Sequence, residues 1–563
     1  MEKIWLRHYP AGVPADVDVL RYRSLKEVLE ASCRRFRGLP AYTNMGTSIT
    51  YGELDELSRR FGAYLQKAAG LAKGSRVAIM MPNLLQYPVA LFGTLRAGMT
   101  VVNVNPLYTP RELRHQLRDS GAEAIVVLEN FAHTLQEVMA DTPLKAVITT
   151  QVGDLLPPIK SAVVNLLVKH VKHMVPAWRI EGAVGWRRAL EAGAARGLDE
   201  VDVQRDDVAF LQYTGGTTGV AKGAVLTHAN MVANLEQTSA WMRGVLEEGV
   251  ETVVTPLPLY HVFSLTANCL TFLKWGANNV LITNPRDLPS FLKQLRRTRF
   301  TAITGVNTLF NALLNAPAMR EVDASSLKVA VAGGMAVQRA VAARWQQATG
   351  VALIEGYGLT EASPIVCANP LDSKEFSGAA GLPFPSTEIG IRDESGQELG
   401  IGQAGEVCVR GPQVMKGYWN RPEETSKALS ADGWLRTGDI GVVDERGFLR
   451  IIDRKKDMIV VSGFKVFPNE VEDVAALHPG VLESAAIGVP DERSGEAVKL
   501  IVVRKDASLT EAQLIEHCRK HLTGYKVPRL VEFRSEPLPK TPIGKVLRRA
   551  LRDEDLATRR RAA

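Results

Sequence analysis

At 563 residues the chain is too long for a single core and predicts roughly three to four compact units. Its 46% hydrophobic and 23% charged content is that of a globular protein, which excludes a fibrous or wholly disordered chain. The net charge of +7 is diffuse: it suits anionic substrates or an anionic membrane surface, and no nucleic-acid partner is predicted.

The first residues lack the apolar run of a signal peptide, and no uncharged stretch reaches the roughly 20 residues of a membrane span. The five cysteines (Cys33, Cys269, Cys367, Cys408 and Cys518) form no CxxC pair and no zinc spacing. Free buried thiols in a reducing compartment are expected. The expected location is cytoplasmic, with peripheral contact to the cytoplasmic face of the inner membrane left open.

In chain order, strands are predicted at 76–81, 100–104, 124–128 and 146–149, with a helix at 87–97. This alternation predicts a largely parallel, doubly wound sheet. Residues 161–178, SAVVNLLVKHVKHMVPAW, carry apolar residues at helical spacing beside Lys169, His170, Lys172 and His173. Such a helix either packs on its own domain or lies in a membrane interface. A second strand series at 252–257, 279–283, 302–305 and 328–332 predicts a second α/β subdomain. Beyond about residue 376 the strands shorten and Gly/Pro turns crowd together, as in a small β-barrel. A charge cluster at 453–457 marks the predicted boundary with a last α+β unit.

The most informative stretch is 213–223, YTGGTTGVAKG. Its glycines bring backbone N–H groups close to a ligand, its hydroxyls add donors, and Lys222 adds charge. The loop suits a polyphosphate, yet it lacks the spacing of a Walker A motif. Four further stretches accompany it: PLPLYHVF (256–263), EGYGLTE (355–361), WLRTGD (434–439) and PLPKTPIGKVLRR (537–549). Together, in this order, they resemble the acyl-adenylate-forming superfamily of acyl-CoA synthetases, adenylation domains and luciferase. MMPNLLQYPVALFG (80–93), NVNPLYTPREL (103–113), NPRDLPSF (284–291) and GVNTLFNALLN (305–315) are most similar to the bacterial long-chain fatty-acid:CoA ligases.

The resemblance implies an α/β fold. A large N-terminal domain (1–452) would hold two α/β subdomains and a small β-barrel. A hinge (453–457) would lead to a mobile α+β lid (458–563). It implies an ATP-dependent ligase of fatty-acid metabolism, with ATP and CoA as co-substrates and Mg²⁺ as cofactor. A long-chain acid would form acyl-AMP and pyrophosphate, and CoA would then displace AMP. A carboxylate is a poor electrophile, and both steps carry heavy negative charge that donors must offset.

By resemblance, Thr214, Gly215, Gly216, Thr217, Thr218, Gly219 and Lys222 grip the phosphates of ATP. Gly333 and Gly334 border adenine and Tyr357 stacks on it. The run Met335-Ala336-Val337 departs from the family pattern after those glycines. Thr360 meets the α-phosphate and Glu361 is the metal ligand. Asp439 and Arg454 reach the ribose, and Lys545 bridges carboxylate and α-phosphate in the first half-reaction. Lys540, Arg548 and Arg549 are expected to be surface charges. His261 gates the thiol channel. Val262, Phe263, Gly305, Val306 and Phe310 are candidates for the acyl pocket, with Trp241 at its mouth. Gly463 and Lys465 belong to the CoA channel and Lys456 to the hinge. A homodimer is left open. Two alternatives also stay open: a fatty-acyl-AMP ligase loading a carrier protein, and a membrane-associated lipid uptake protein.

Overall fold

The fold is that of a computed structural model, which describes residues 2–214 and 221–562. Two large sheets organise the N-terminal domain. The first has eight strands. Its centre is parallel: Val208–Thr214, Thr100–Asn103, Arg76–Met80, Ala124–Leu128 and Ala146–Thr150 lie side by side. Lys222–Thr227 returns antiparallel against Val208–Thr214, so the predicted phosphate loop connects two paired strands.

The second sheet has nine strands, with Leu353–Gly358, Val329–Ala332, Ala302–Gly305, Thr252–Thr255 and Asn278–Leu281 parallel at its centre. The hairpin Pro40–Asn44/Thr47–Thr50, which the hydrophobic pattern does not announce, closes its far edge. The predicted strand at 252–257 ends at Thr255, because Pro256 has no N–H for the ladder. Strand residues such as Val77–Met80 and Val101–Val102 are fully buried, as expected of a parallel sheet covered on both faces.

The barrel predicted after residue 376 is a four-stranded antiparallel sheet of Glu388–Arg392, Gly405–Arg410, Leu435–Val443 and Leu449–Arg454. The chain leaves it at Arg454, turns through 455–457, and enters a small C-terminal domain at Ile459–Val461. That domain is a five-stranded sheet around Val481–Asp491 and Gly495–Arg504, with its own apolar core.

Residues 161–178 begin within helix Pro158–Leu166, which continues as one π-helical turn, Leu167–Val171. Val164 packs on the core. Ile159, Val163, Leu166, Leu167, Val171 and Met174 do not: they are exposed by 41–83%. The segment is therefore not a core helix. All five cysteines are free and buried.

Candidate active site

One cavity of about 1490 Å³ runs between the C-terminal strand ends of the two large sheets, the four-stranded antiparallel sheet and the small domain. Ligands of open α/β sheets bind at such strand ends. Single-ligand pockets usually measure roughly 300–1,000 Å³, so this one has room for more than one substrate. Its wall changes character along its length.

The polar end is built around Asp439. This aspartate pairs in register with Arg454 on the next strand of the four-stranded sheet, so the two side chains meet: Arg454 Nε lies 3.4 Å from Asp439 Oδ1. Tyr357 Oη donates to Asp439 Oδ2 at 2.7 Å. Burial and the Asp439 charge push the Tyr357 phenol well above its ordinary value. The ring therefore stays neutral, with a flat face in the cleft wall.

Lys545 arrives from the small domain. Thr541, Gly544 and Lys545 form a tight turn: Thr541 N–H donates to Lys545 O at 2.7 Å, and Lys545 N–H to Thr541 Oγ1 at 3.1 Å. Gly544 has φ +89°, and a Cβ there would lie 2.8 Å from Thr308 Oγ1, so only glycine fits. Burial, then the Arg454 charge, push the Lys545 ammonium down to about 8, against the pull of Asp439. Burial and then Lys545 hold His261 down to about 4, so its ring is neutral at pH 7. Its Nδ1 accepts from Phe263 N–H at 3.3 Å, capping the next turn rather than meeting an acid.

Glu361 sits on a short 3₁₀ turn, Thr360–Ala362. Tyr418 Oη donates to its Oε1 at 2.7 Å. Lys222 lies over the Tyr418 ring, 5.1 Å from its centroid, and is ion-paired with Glu424. A hard cation bridging phosphates takes one or two carboxylates and completes its shell with oxygen from substrate and water. The oxygen-only set of Glu361 and Thr360 fits Mg²⁺ on that basis. Among the described residues there is no cluster of three or more His, Cys, Asp or Glu that would suit a softer metal.

The other end is apolar. Trp241, Met242, Leu246, Phe272, Leu371 and Phe384 line it, Met242, Leu246 and Phe272 in one apolar cluster and Trp241 and Phe384 in another, with Leu371 packed against both. Trp241 is fixed on three sides: Nε1 donates to Asn369 O at 3.0 Å, Phe384 stacks at 4.9 Å, and Tyr9 meets it edge-on at 5.3 Å.

The cleft thus joins Thr214, Lys222, His261, Val262, Phe263, Gly333, Gly334, Tyr357, Thr360, Glu361, Asp439, Arg454, Lys456 and Lys545. Gly215, Gly216, Thr217, Thr218 and Gly219 lie outside the described residues. Gly305 and Val306 are set behind the wall rather than in it. A Cβ on Gly305 would strike the Phe310 ring at 2.7 Å, and Val306 Cγ2 lies 3.3 Å from where a Cβ on Gly544 would stand. Phe310 is core, edge-on to Trp345 at 4.7 Å. Gly463 and Lys465 stand away from the cleft on an exposed hairpin, where Lys465 is 3.8 Å from Glu394.

Arg548 corrects the surface-charge expectation. It donates to Glu472 at 2.9 and 2.8 Å and lies 3.3 Å from Asp453, on the other side of the 455–457 turn. Lys540 is half-buried and paired with Glu483, while Arg549 is exposed, 3.7 Å from Asp553. Tyr418 and Glu424 were missed: no motif surrounds them, and only the pairing of Gly417–Tyr418 with Lys222–Thr227 brings them to the cleft.

Comparison with known proteins decides the family. The model of the AMP-binding enzymes matches residues 29–419, and that of the AMP-binding enzyme C-terminal domain matches 470–545. The chain belongs to the AMP-binding enzyme family. Among its curated relatives, the long-chain-fatty-acid–CoA ligase of Yersinia pestis is 59% identical over 556 residues, covering 99% of both chains. The Escherichia coli O157:H7 protein of the same name is 58% identical over 554 residues, covering 98% of both. A solved anthranilate CoA ligase in complex with anthranoyl-AMP superposes with a TM-score of 0.85 at 26% identity, covering 95% of this chain and 98% of the other.

Proposed function

We propose that this AMP-binding enzyme is an ATP-dependent long-chain fatty-acid:CoA ligase, forming acyl-AMP and pyrophosphate and then acyl-CoA and AMP. The observation that carries the reading is a single cavity whose polar end holds Asp439, Arg454, Glu361 and Lys545 and whose other end is lined by Met242, Leu246 and Phe272. The names and high identity of the curated relatives support it.

In this reading the fatty acid lies with its chain along the apolar arm and its carboxylate near Lys545. Burial of the chain supplies affinity without favouring the transition state. Asp439 accepts from the ribose hydroxyls while Arg454 steadies its carboxylate. Tyr357 presents its face to adenine. Thr214 and the 215–220 loop hold the β- and γ-phosphates. Mg²⁺, bound with ATP at Glu361, would offset phosphate charge. Lys545 then neutralises charge where carboxylate oxygen meets the α-phosphate, with pyrophosphate leaving.

The turn at 455–457 is the proposed hinge, Lys456 at its centre. Rotation there withdraws Lys545 and brings the Gly463–Lys465 hairpin toward the cleft, so that the CoA thiol reaches acyl-AMP past His261. Hinges confine such a torsion change to a few residues. The exposed apolar strip Ile159–Met174, flanked by Lys169, His170, Lys172 and His173, is the surface we propose rests on the inner membrane. Among the described residues no helix is long and apolar enough to cross a membrane.

The test measures AMP, acyl-AMP and acyl-CoA for acids from acetate to oleate, with ATP, Mg²⁺ and CoA. Acyl-CoA with preference for long chains is expected. Acyl-AMP that accumulates and passes only to a carrier protein would overturn the CoA assignment.

A further inference from the structure

Helix Asn307–Asn315 has two unlike faces. Phe310 and Leu313 are fully buried in the core of the large domain. Thr308, Asn311 and Asn315, spaced three and four residues apart, share another face. Each of these three polar residues meets a different part of the small domain. Thr308 Oγ1 donates to the carbonyl of Gly544 at 2.9 Å. Asn311 Nδ2 donates to the carbonyl of Leu482, at the start of Val481–Asp491, at 3.1 Å. Lys505 Nζ donates to Asn315 Oδ1 at 3.3 Å.

These amides are also held from behind. Arg344 of the large domain donates to Asn311 Oδ1 at 3.3 Å and to Asn315 Oδ1 at 3.1 Å. Because Arg344 has only donors, it fixes the oxygen of Asn311 inward and turns the NH₂ toward Leu482. A side chain aimed this way is set before the partner domain arrives, so little rotamer freedom is lost on docking.

We propose that this polar face, Thr308–Asn311–Asn315 backed by Arg344, is the dock that holds the small domain in the orientation presenting Lys545, and that Thr308 positions Lys545 through its neighbour's carbonyl. The inference rests on the two-orientation reading given above. Rotation at 455–457 carries Gly544, Leu482 and Lys505 away together, so these three contacts exist in one orientation only. They therefore bias the choice between half-reactions without touching substrate.

The experiment measures the two half-reactions separately in the full-length enzyme. The first is acyl-AMP formation from oleate and ATP. The second is oleoyl-CoA formation from synthetic oleoyl-AMP and CoA. Thr308→Val is isosteric and lacks the donor, Thr308→Ser keeps it, and Asn311→Ala removes the second contact. The double variant Thr308→Val/Asn311→Ala is expected to lower the first rate relative to the second by about tenfold, the effect of one to two net hydrogen bonds. Thr308→Ser should stay near wild type. Lys505→Ala, which removes only the outermost contact, should shift the ratio the same way by about twofold.

Equal losses in both half-reactions, or an unchanged ratio in both the double and the Lys505 variants, would overturn the dock. A wild-type enzyme that makes no acyl-AMP from oleate would instead overturn the underlying ligase reading, and the dock with it.

Discussion

Lys545 ties one residue to a measurable pH profile. Its ammonium is pushed down to about 8 in the free protein by burial and the Arg454 charge. The charged form is then about 90% populated at pH 7, half at pH 8 and about 10% at pH 9. If the charge is what offsets the forming acyl-phosphate bond, kcat/KM for acyl-AMP formation is flat below pH 7 and falls toward tenfold per unit above pH 8. That parameter reports the free enzyme. At saturating ATP the triphosphate stabilises the ammonium, so the same limb in kcat lies at higher pH. Lys545→Ala removes a preorganised charge from the transition state, which costs on the order of 10²–10³ in rate, about 2.7–4 kcal/mol. It also removes the alkaline limb. The assay is single-turnover formation of radiolabelled oleoyl-AMP between pH 6 and 9.5, beside thioester formation from synthetic oleoyl-AMP, which should be spared. His261, already neutral down to about pH 4, contributes no limb in this range. A Lys545→Ala enzyme within tenfold of wild type in the first half-reaction, or one that keeps the alkaline limb, refutes the reasoning.

Three other outcomes are expected. Tyr418→Phe removes the 2.7 Å bond to Glu361, a charged acceptor, and should raise the Mg²⁺ and ATP requirement by about 1.5–3 kcal/mol, read by titrating Mg²⁺ at fixed ATP. Unchanged Mg²⁺ dependence would remove Tyr418 from the site. Trp241→Ala deletes a buried indole stacked on Phe384. It should cost about 3–5 kcal/mol in a denaturation curve and widen the acids accepted toward bulkier tails, and an unchanged acid profile would place the tail elsewhere. Val163→Asp/Leu166→Asp/Val171→Asp alters only exposed apolar positions. It should leave activity on dispersed oleate unchanged and abolish co-sedimentation with anionic vesicles, whereas retained sedimentation would refute the membrane face.

Much of the fold was legible because parallel strands covered on both faces must be continuous apolar runs. The runs at 77–81 and 124–128 have that property, and the strands Arg76–Met80 and Ala124–Leu128 are built on them. The hairpin at 40–50 was not legible, because PAYTN and TSIT carry too few apolar residues to stand out and gain their place from Asn278–Leu281. Burial of single residues was read less well. Gly305 ends a buried strand and Val306 and Phe310 follow it, but which side of that strand end opens on the cleft depends on what packs against it. The answer here is the lysine loop and Trp345. Arg548 reads as a solvated charge in a basic run, yet Asp453 just before the 455–457 turn, Asp457 within it and Glu472 on helix Pro468–Ala476 converge on it.

What the sequence alone determined was chemical type. Glycines and hydroxyls in one loop, an acid after Gly-Leu-Thr, an aspartate after Arg-Thr-Gly and a lysine after a proline-rich turn are local patterns, and local backbone geometry needs no distant partner. What only the tertiary structure decided was convergence. It joined Asp439 to Arg454 and Tyr357, linked Glu361 with Tyr418, and brought Lys545 close enough for its charge to act on His261, with Thr308 of helix Asn307–Asn315 donating to the neighbouring Gly544 carbonyl. These partners come from separate elements, including two domains. Their meeting is a property of sheet order, register and domain docking, which a one-dimensional pattern does not encode.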